Sequence, residues 1–281
     1  MKIGVLQHEF SPFERPGLLA YLCDAWVKAG HQIELMRGIP RAKVEVDVLI
    51  PHIDLTVTPP EYLEFMASFP MVVNRRMTDN SKRKVSSDLL NEDDAWPGEV
   101  IVKTDRNFGG IPERVIQNVS EGRPLDHEIS ERPWRRVDQL LPAQYPVFSS
   151  IRDVPYGVWR NPNLVVEKFI PEVENGLYCN RVAIVMGDKV LCRRVYAKAK
   201  VIKGVKIERT EEVEPPEALA EIRERMGMDY GKIDFVVHPD GVHVFDMNNT
   251  PSGLNDPEVD AGIGQKLAPG LEAFLEASNG P

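Results

Sequence analysis

The segment IDFVVHPDGVHVFDMNNTP, residues 233–251, sets hard oxygen ligands at one end of two otherwise apolar runs. Two stretches rich in Val, Ile and Phe flank a Pro-Asp-Gly turn, the pattern of a β-hairpin. Asp234 begins one arm, Asp246 ends the other, and Asn248 and Asn249 follow. The turn decides where the acids point. A two-residue loop would set Asp234 opposite Phe245 and send Asp246 to the other face. A three-residue loop, Pro239-Asp240-Gly241, puts Pro at the first turn position and Gly at the left-handed one. It predicts His238 opposite Val242 and Asp234 directly opposite Asp246, with Asn248 two residues further along the same face. Facing carboxylates repel unless a cation lies between them, and an all-oxygen set suits Mg²⁺ or Mn²⁺. The alternative is that both acids end their strands in solvent.

Two more segments carry chemistry. In IVKTDRNFGG, Lys103 stands near the end of a strand and the loop Asn107-Phe108-Gly109-Gly110 follows. One ammonium and several backbone N–H groups can meet a polyphosphate there, although Gly-Gly alone also marks an ordinary flexible turn. The pattern is not GxxxxGK[ST], so a P-loop is excluded. In NLVVEKFIPEVENG an apolar strand turns acidic at Glu167, Glu172 and Glu174. An acid here can hold ribose hydroxyls, and main chain at the strand end can read an adenine edge. A solvated strand exit is the plainer reading of the segment taken alone.

The elements that must position these residues fall into two regions. KIGVLQ, HQIELM, VDVLIPHI and MVVN read as four strands, separated by helices over GLLAYLCDAWVKAG and PPEYLEFMASF. That alternation predicts a small parallel sheet over residues 1–75. No GxGxxG follows the first strand, so a dinucleotide site is not supported. From residue 76 hairpins and helices mix, as in an α+β fold: a short helix opened by Ser81, strands EVIVKT and NLVVEKF, a hairpin of RVAIVM and KVLCRRVYAK, a helix over PEALAEIRERMGM, and a final helix near QKLAPGLEAFLEA. Residues 111–163, dotted with Pro, Arg and Trp, have no clear period.

Composition bounds the partners. The 281 residues are 42% hydrophobic and 27% charged, with a formal net charge of −9, which argues against non-specific nucleic-acid or anionic-membrane binding. Three widely spaced cysteines without a CxxC pair argue against a disulfide scaffold or a zinc site. The amino terminus reaches Gln, His and Glu too early for a signal peptide, and no run of about 18 apolar residues is present, so a cytoplasmic protein is expected.

A strand Lys with a Gly-rich loop, then an apolar strand ending in EKFIPE, then a D-x11-D-x-N hairpin: in this order they resemble the ATP-grasp superfamily. The likeness covers most of residues 74–255, in a layout similar to glutathione synthetase, D-alanine–D-alanine ligase and the ribosomal-protein glutamate ligases. It implies an N-terminal βα domain over 1–75, then an ATP-grasp fold over 76–281 whose two α+β lobes, about 76–166 (lid) and 167–281 (metal-binding), sandwich ATP. It further implies that Lys82 and Lys103 bind phosphates under a lid made by residues 107–110, with Asn107, Gly109 and Gly110 contributing. Glu167, Lys168 and Phe169 would form the adenine hinge, Lys168 and Phe169 through main chain, and Glu172 or Glu174 would hold the ribose. Asp234, Asp246 and Asn248 would carry one or two Mg²⁺ (or Mn²⁺). Arg181 and Arg194 would stabilise the transferred phosphoryl group, although an exposed sheet face explains them almost as well.

There are departures. Asp246 stands where relatives often have Glu, Cys179 where they often have Asp, and NNTPSG replaces N-x-x-P-G, which puts inherited substrate specificity in doubt. The implied activity is an ATP-dependent carboxylate–amine or carboxylate–thiol ligase working through an acyl phosphate on a small molecule or peptide, with a homodimer possible. A small-molecule kinase and a non-catalytic nucleotide-binding protein are the alternatives. Gln7, His8 and His52, at strand ends of the first sheet, or Arg75 and Arg76, are candidates to meet the acceptor.

Overall fold

The computed structural model describes residues 1–15, 17–124, 132–203, 205–254 and 256–278. Strands Lys2–Gln7, Gln32–Arg37 and Val48–His52 form a parallel sheet with Lys2–Gln7 in the middle. The middle strand is covered on both faces, which is why it reads as a nearly unbroken apolar run. Leu19, Leu22 and Trp26 of the helix Leu19–Lys28 share a core with Ile3 and Val5 and with Ile263 and Leu267 of the helix Pro257–Leu267. Trp26 Nε1 donates to the Ala268 carbonyl at 2.8 Å. Ile184, Met186 and Tyr230 belong to the same core, so one apolar cluster ties the amino-terminal sheet to a larger one. Each such side chain contributes roughly 1.5–3 kcal/mol by leaving water.

The fourth strand expected at MVVN shrinks to a single bridge, Leu49 to Val72. Asn74 is the reason. It sits at φ 58°, and its Oδ1 accepts from Asp229 N and Tyr230 N at 2.7 and 2.9 Å while its Nδ2 donates to the Tyr230 carbonyl at 2.7 Å. The chain turns there to grip the large sheet instead of extending the small one.

A four-stranded antiparallel sheet runs Leu89–Leu90, Leu164–Lys168, Val100–Thr104, Val147–Phe148. The large sheet centres on Leu177–Met186, paired with Lys189–Ala197 on one side and Tyr230–His238 on the other. Of the 111–163 stretch, residues 111–120 form the helix Ile111–Ser120, and 125–131 lie outside the described residues. The single final helix expected is two, Pro257–Leu267 and Gly270–Ser278. Pro269 between them has no N–H to continue the first.

The hairpin Tyr230–His238 with Gly241–Asn248 differs from the three-residue loop expected. The loop has two residues, since His238 pairs with Gly241 and Val237 with Val242. A bulge then shifts the register: Phe235 faces Val244, Phe245 is the extra residue, and Asp234 faces Asp246 after all. Lys232 lies opposite Asn248. The acids converge as expected, by a different local device.

Candidate active site

Asp234 is 1% exposed and Asp246 is also buried, so neither ends its strand in open solvent. The cation that two such acids require is supplied by lysines. Lys203 Nζ lies 2.6 Å from Asp234 Oδ2 and 3.4 Å from Asp246 Oδ2. Lys232 Nζ is 3.0 Å from Asp234 Oδ2, and Lys82 Nζ is 3.5 Å from Asp246 Oδ1. Burial alone would raise both acids, but it is outweighed. Lys203 and then Lys232 hold Asp234 below the usual carboxylate range, while Lys82, Lys203 and Lys232 do the same for Asp246. Lys203 was not legible as a site residue: it ends the segment KAKVIK, which follows the strand Lys189–Ala197 and has no strand period of its own.

Lys103 completes the group. Its Nζ is 2.6 Å from Glu167 Oε2 and 4.9 Å from the centre of the Phe245 ring. Both partners of the ion pair are buried. Four ammonium groups thus share three carboxylates, and the surplus positive charge faces a narrow cavity lined by Lys82, Lys103, Lys200 and Lys203, with Tyr145, Phe169, Ile170 and Phe245 as apolar walls. A planar ring with an anionic tail matches that composition.

The same group offers oxygen donors for a divalent ion. Asp234 and Asp246 give carboxylate oxygens, and Asn248 gives an amide oxygen that is held in place by Thr250 N and Oγ1 at 2.8 and 3.0 Å. The ammonium of Lys203 already spans the two carboxylates as a stand-in cation. Hard oxygens around a cation position fit Mg²⁺ or Mn²⁺.

Several expected residues are placed elsewhere. Glu167 points inward at Lys103, so it orients that ammonium instead of edging a base. The N–H groups of Lys168 and Phe169 donate to the carbonyls of Asp88 and Glu99 at 2.8 and 2.9 Å, which leaves neither N–H free to read an adenine. Arg181 pairs across the sheet with Phe235, the neighbour of Asp234, and Arg194 pairs with Arg181. Side chains alternate along a strand, so both arginines project from the face opposite the acids. There Arg181 Nη2 bonds Glu172 at 3.0 Å, and Arg194 bonds both Glu172 and Glu174. Glu174 also takes Arg209 at 3.1 Å. These five residues form an ion network on that face.

The loop at residues 107–110 does reach the cavity. Phe108 (φ 44°), Gly109 (φ 69°) and Gly110 (φ 79°) are all left-handed, an arrangement that turns successive N–H groups to one side. Asn107 N donates to Thr56 Oγ1 at 2.8 Å, anchoring the loop to the amino-terminal region. A Cβ on Gly109 would meet the Leu140 carbonyl at 2.5 Å. Phe108 is half exposed, in a backbone region that costs a non-glycine residue roughly 1–3 kcal/mol. Phe108→Gly should therefore leave stability in a thermal melt equal or raised by up to about 1 kcal/mol.

A second, wider cavity meets the first at Phe108, Lys203 and Asp246. The amino-terminal region supplies Ser11, Pro12, Phe13 and Asp54 to it, and not the candidates expected. Gln7 Nε2 bonds the Phe13 carbonyl at 3.5 Å, and His8 stacks on Tyr62 with ring centres 5.4 Å apart. Burial lowers His52 to about 4, so it stays a neutral core residue. Arg75 caps the carbonyls of Phe69 and Pro70, and Arg76 caps that of Glu224.

At the turn end of the same hairpin, His243 donates between Asp88 and Asp240, with His238 beside Asp240. Burial would lower His243, but Asp240 and Asp88 outweigh it and raise it. A raised folded value gives stability that is fully present below the ordinary histidine value of about 6.5 and lost as pH rises through the folded value. Melting temperatures compared at pH 6 and pH 8.5 should show that loss in the wild type, and His243→Gln should flatten it.

No protein-family model matches the sequence, and no curated protein does. Solved structures are similar over the whole chain. The RiPP-associated ATP-grasp ligase of Chryseobacterium gregarium, in complex with ADP and a leader and core peptide, matches at TM-score 0.56 and 12% identity, over 100% of this chain and 97% of that one. The macrocyclase MdnC of Microcystis aeruginosa, bound with precursor peptide MdnA, matches at TM-score 0.53 and 11% identity, over 95% and 99%. A RimK domain protein ATP-grasp from Sphaerobacter thermophilus matches at 0.51 and 13%, over 98% and 100%. At such identities the likeness speaks for the fold, and the fold is ATP-grasp. Among the described residues no helix is long and apolar enough to cross a membrane.

Proposed function

With the ATP-grasp fold as the frame, we propose that this chain is an ATP-dependent ligase that joins a carboxylate to an amine through an acyl phosphate, releasing ADP and phosphate. The observation that carries the reading is the meeting of the two cavities at Asp246, Lys203 and Phe108. A narrow slot with surplus ammonium charge lies on one side, and a larger cleft with room for a second substrate lies on the other. ADP bound to one neighbour, and peptides bound to two, support a nucleotide in the slot and an amino acid or peptide in the cleft.

Each residue then has a task. Lys103, oriented by Glu167, and Lys82 hold phosphate oxygens, and the 107–110 loop closes over them with N–H groups. Phe169, Ile170 and Phe245 pack against the base. Asp234, Asp246 and Asn248 would hold Mg²⁺ or Mn²⁺, which supplies charge neutralisation at the phosphates. Lys203, at the junction, is within reach of both the transferred group and the carboxylate that receives it. In-line phosphoryl transfer asks for positioned cations more than for a covalent protein group, and the site consists of little else. Residues 76–166 form the lobe that closes on 167–281, with 1–75 contributing to the cleft.

ADP release with ATP and Mg²⁺ across pooled amino acids and short peptides tests the reading. Release that depends on an added acceptor supports it. A stable phosphomonoester as product would replace the ligase with a kinase.

A further inference from the structure

We propose that Asp54 and the apolar wall beside it form an acceptor subsite for a primary amine carrying an apolar side chain. The inference rests on the ligase reading for its chemistry, but the binding site stands on its own geometry. The cleft has a polar end at Lys203, Lys232 and Asp246 and an apolar side built from Phe13, Phe108, Ile111, Val115 and Leu254. Phe13 is 58% exposed, Phe108 50% and Leu254 51%, so three large apolar side chains from distant parts of the chain line one cleft while still open to solvent.

Asp54 is the anomaly in this cleft. Asp246, the other carboxylate lining it, is surrounded by lysines, whereas no lysine or arginine among the described residues forms an ion pair with Asp54. Its one described bond comes from Thr250 Oγ1, at 2.8 Å to Oδ1. Burial, with Glu113 adding like charge, raises it to about 6 although the Thr250 bond opposes this. A half-buried carboxylate without a cation is costly, and an ammonium arriving from the cleft relieves that cost. Thr250 Oγ1 also lies 3.0 Å from Asn248 Oδ1, so its single proton is shared between the two acceptors and Asp54 sits beside the reacting end. An amine held at Asp54 keeps its side chain in the cleft against the apolar wall. An acidic side chain would meet no partner on that wall, and a bare ammonium would leave the wall uncovered.

Calorimetry on the full chain loaded with Mg²⁺ and ADP tests the subsite without requiring turnover. The probes are leucinamide, glycinamide and N-acetyl-leucinamide. Leucinamide should bind at least tenfold tighter than either of the others. Asp54→Asn should weaken leucinamide at least tenfold with ADP affinity unchanged, which also reports that the variant is folded. Leu254→Ser should weaken leucinamide more than glycinamide. Failure of leucinamide to bind the wild type, equal binding of the acetylated probe, or unchanged binding to Asp54→Asn would each overturn the proposal. Binding through Asp54 without any amide product would instead leave the subsite standing and remove the ligase reading.

Discussion

Asp246→Asn is expected to lower ADP-forming turnover by about 10²–10³-fold or more while the protein stays folded. The substitution keeps shape and removes one of the two facing carboxylates. Lys82 and Lys203 lose a partner at 3.5 and 3.4 Å, so the local surplus of positive charge grows. Polyphosphate binding should survive, because the ammonium groups that meet it are still present. The defect should therefore appear in kcat, with the KM for ATP changing much less. Steady-state ADP release, with circular dichroism as the check on folding, reads both. Ordinary ATP consumption by the variant would remove Asp246 from the reaction.

Lys203→Met should give the largest effect on stability. Of the lysines paired with these acids, Lys203 bridges both, while Lys232 stays on Asp234 and Lys82 on Asp246. Leaving a buried acid with no cation typically costs about 3–5 kcal/mol, and with two lysines remaining the loss should fall below that range. Without divalent ions the variant should melt well below the wild type. Added Mg²⁺ or Mn²⁺ should restore more stability to the variant than to the wild type, because the ion then takes an empty place between the same oxygens. The pH sign follows from the same residues. Asp234 and Asp246 are held below the usual value, so their contribution is present above the unfolded aspartate value of about 3.9 and is lost as pH falls below it. In the variant that loss should begin at a higher pH. A divalent ion that shifts wild type and variant equally would contradict a shared position for ion and ammonium.

Much of this site was legible because strands alternate with a period of two. Asp234, Asp246 and Asn248 share a face in any register that opposes the two acids, and the apolar runs required one face to be buried. The bulge at Phe245 was not legible, since one extra residue in a strand leaves no compositional mark. Arg181 and Arg194 took their expected role from the resemblance and not from strand alternation; their parity with Phe235 puts them on the face opposite Asp234. Lys203 and Asp54 escaped for another reason. Both lie in loops, where no period says which way a side chain faces. Only the folded chain brings residues 54, 203 and 246 to one cleft. MVVN failed as a strand because the demands on Asn74 are tertiary: it holds Asp229 and Tyr230 across 155 and 156 residues of sequence.

The most direct measurement follows oxygen from the acceptor carboxylate. With an active pool in hand, the carboxylate substrate is labelled with ¹⁸O and the released phosphate is analysed by mass spectrometry. Attack on the γ-phosphate followed by amine displacement transfers one labelled oxygen to phosphate for each amide formed. Phosphate carrying one ¹⁸O per turnover is the predicted result. Unlabelled phosphate alongside ordinary ADP release would mean that water or another oxygen took the phosphoryl group, and that no acyl phosphate forms in this cleft.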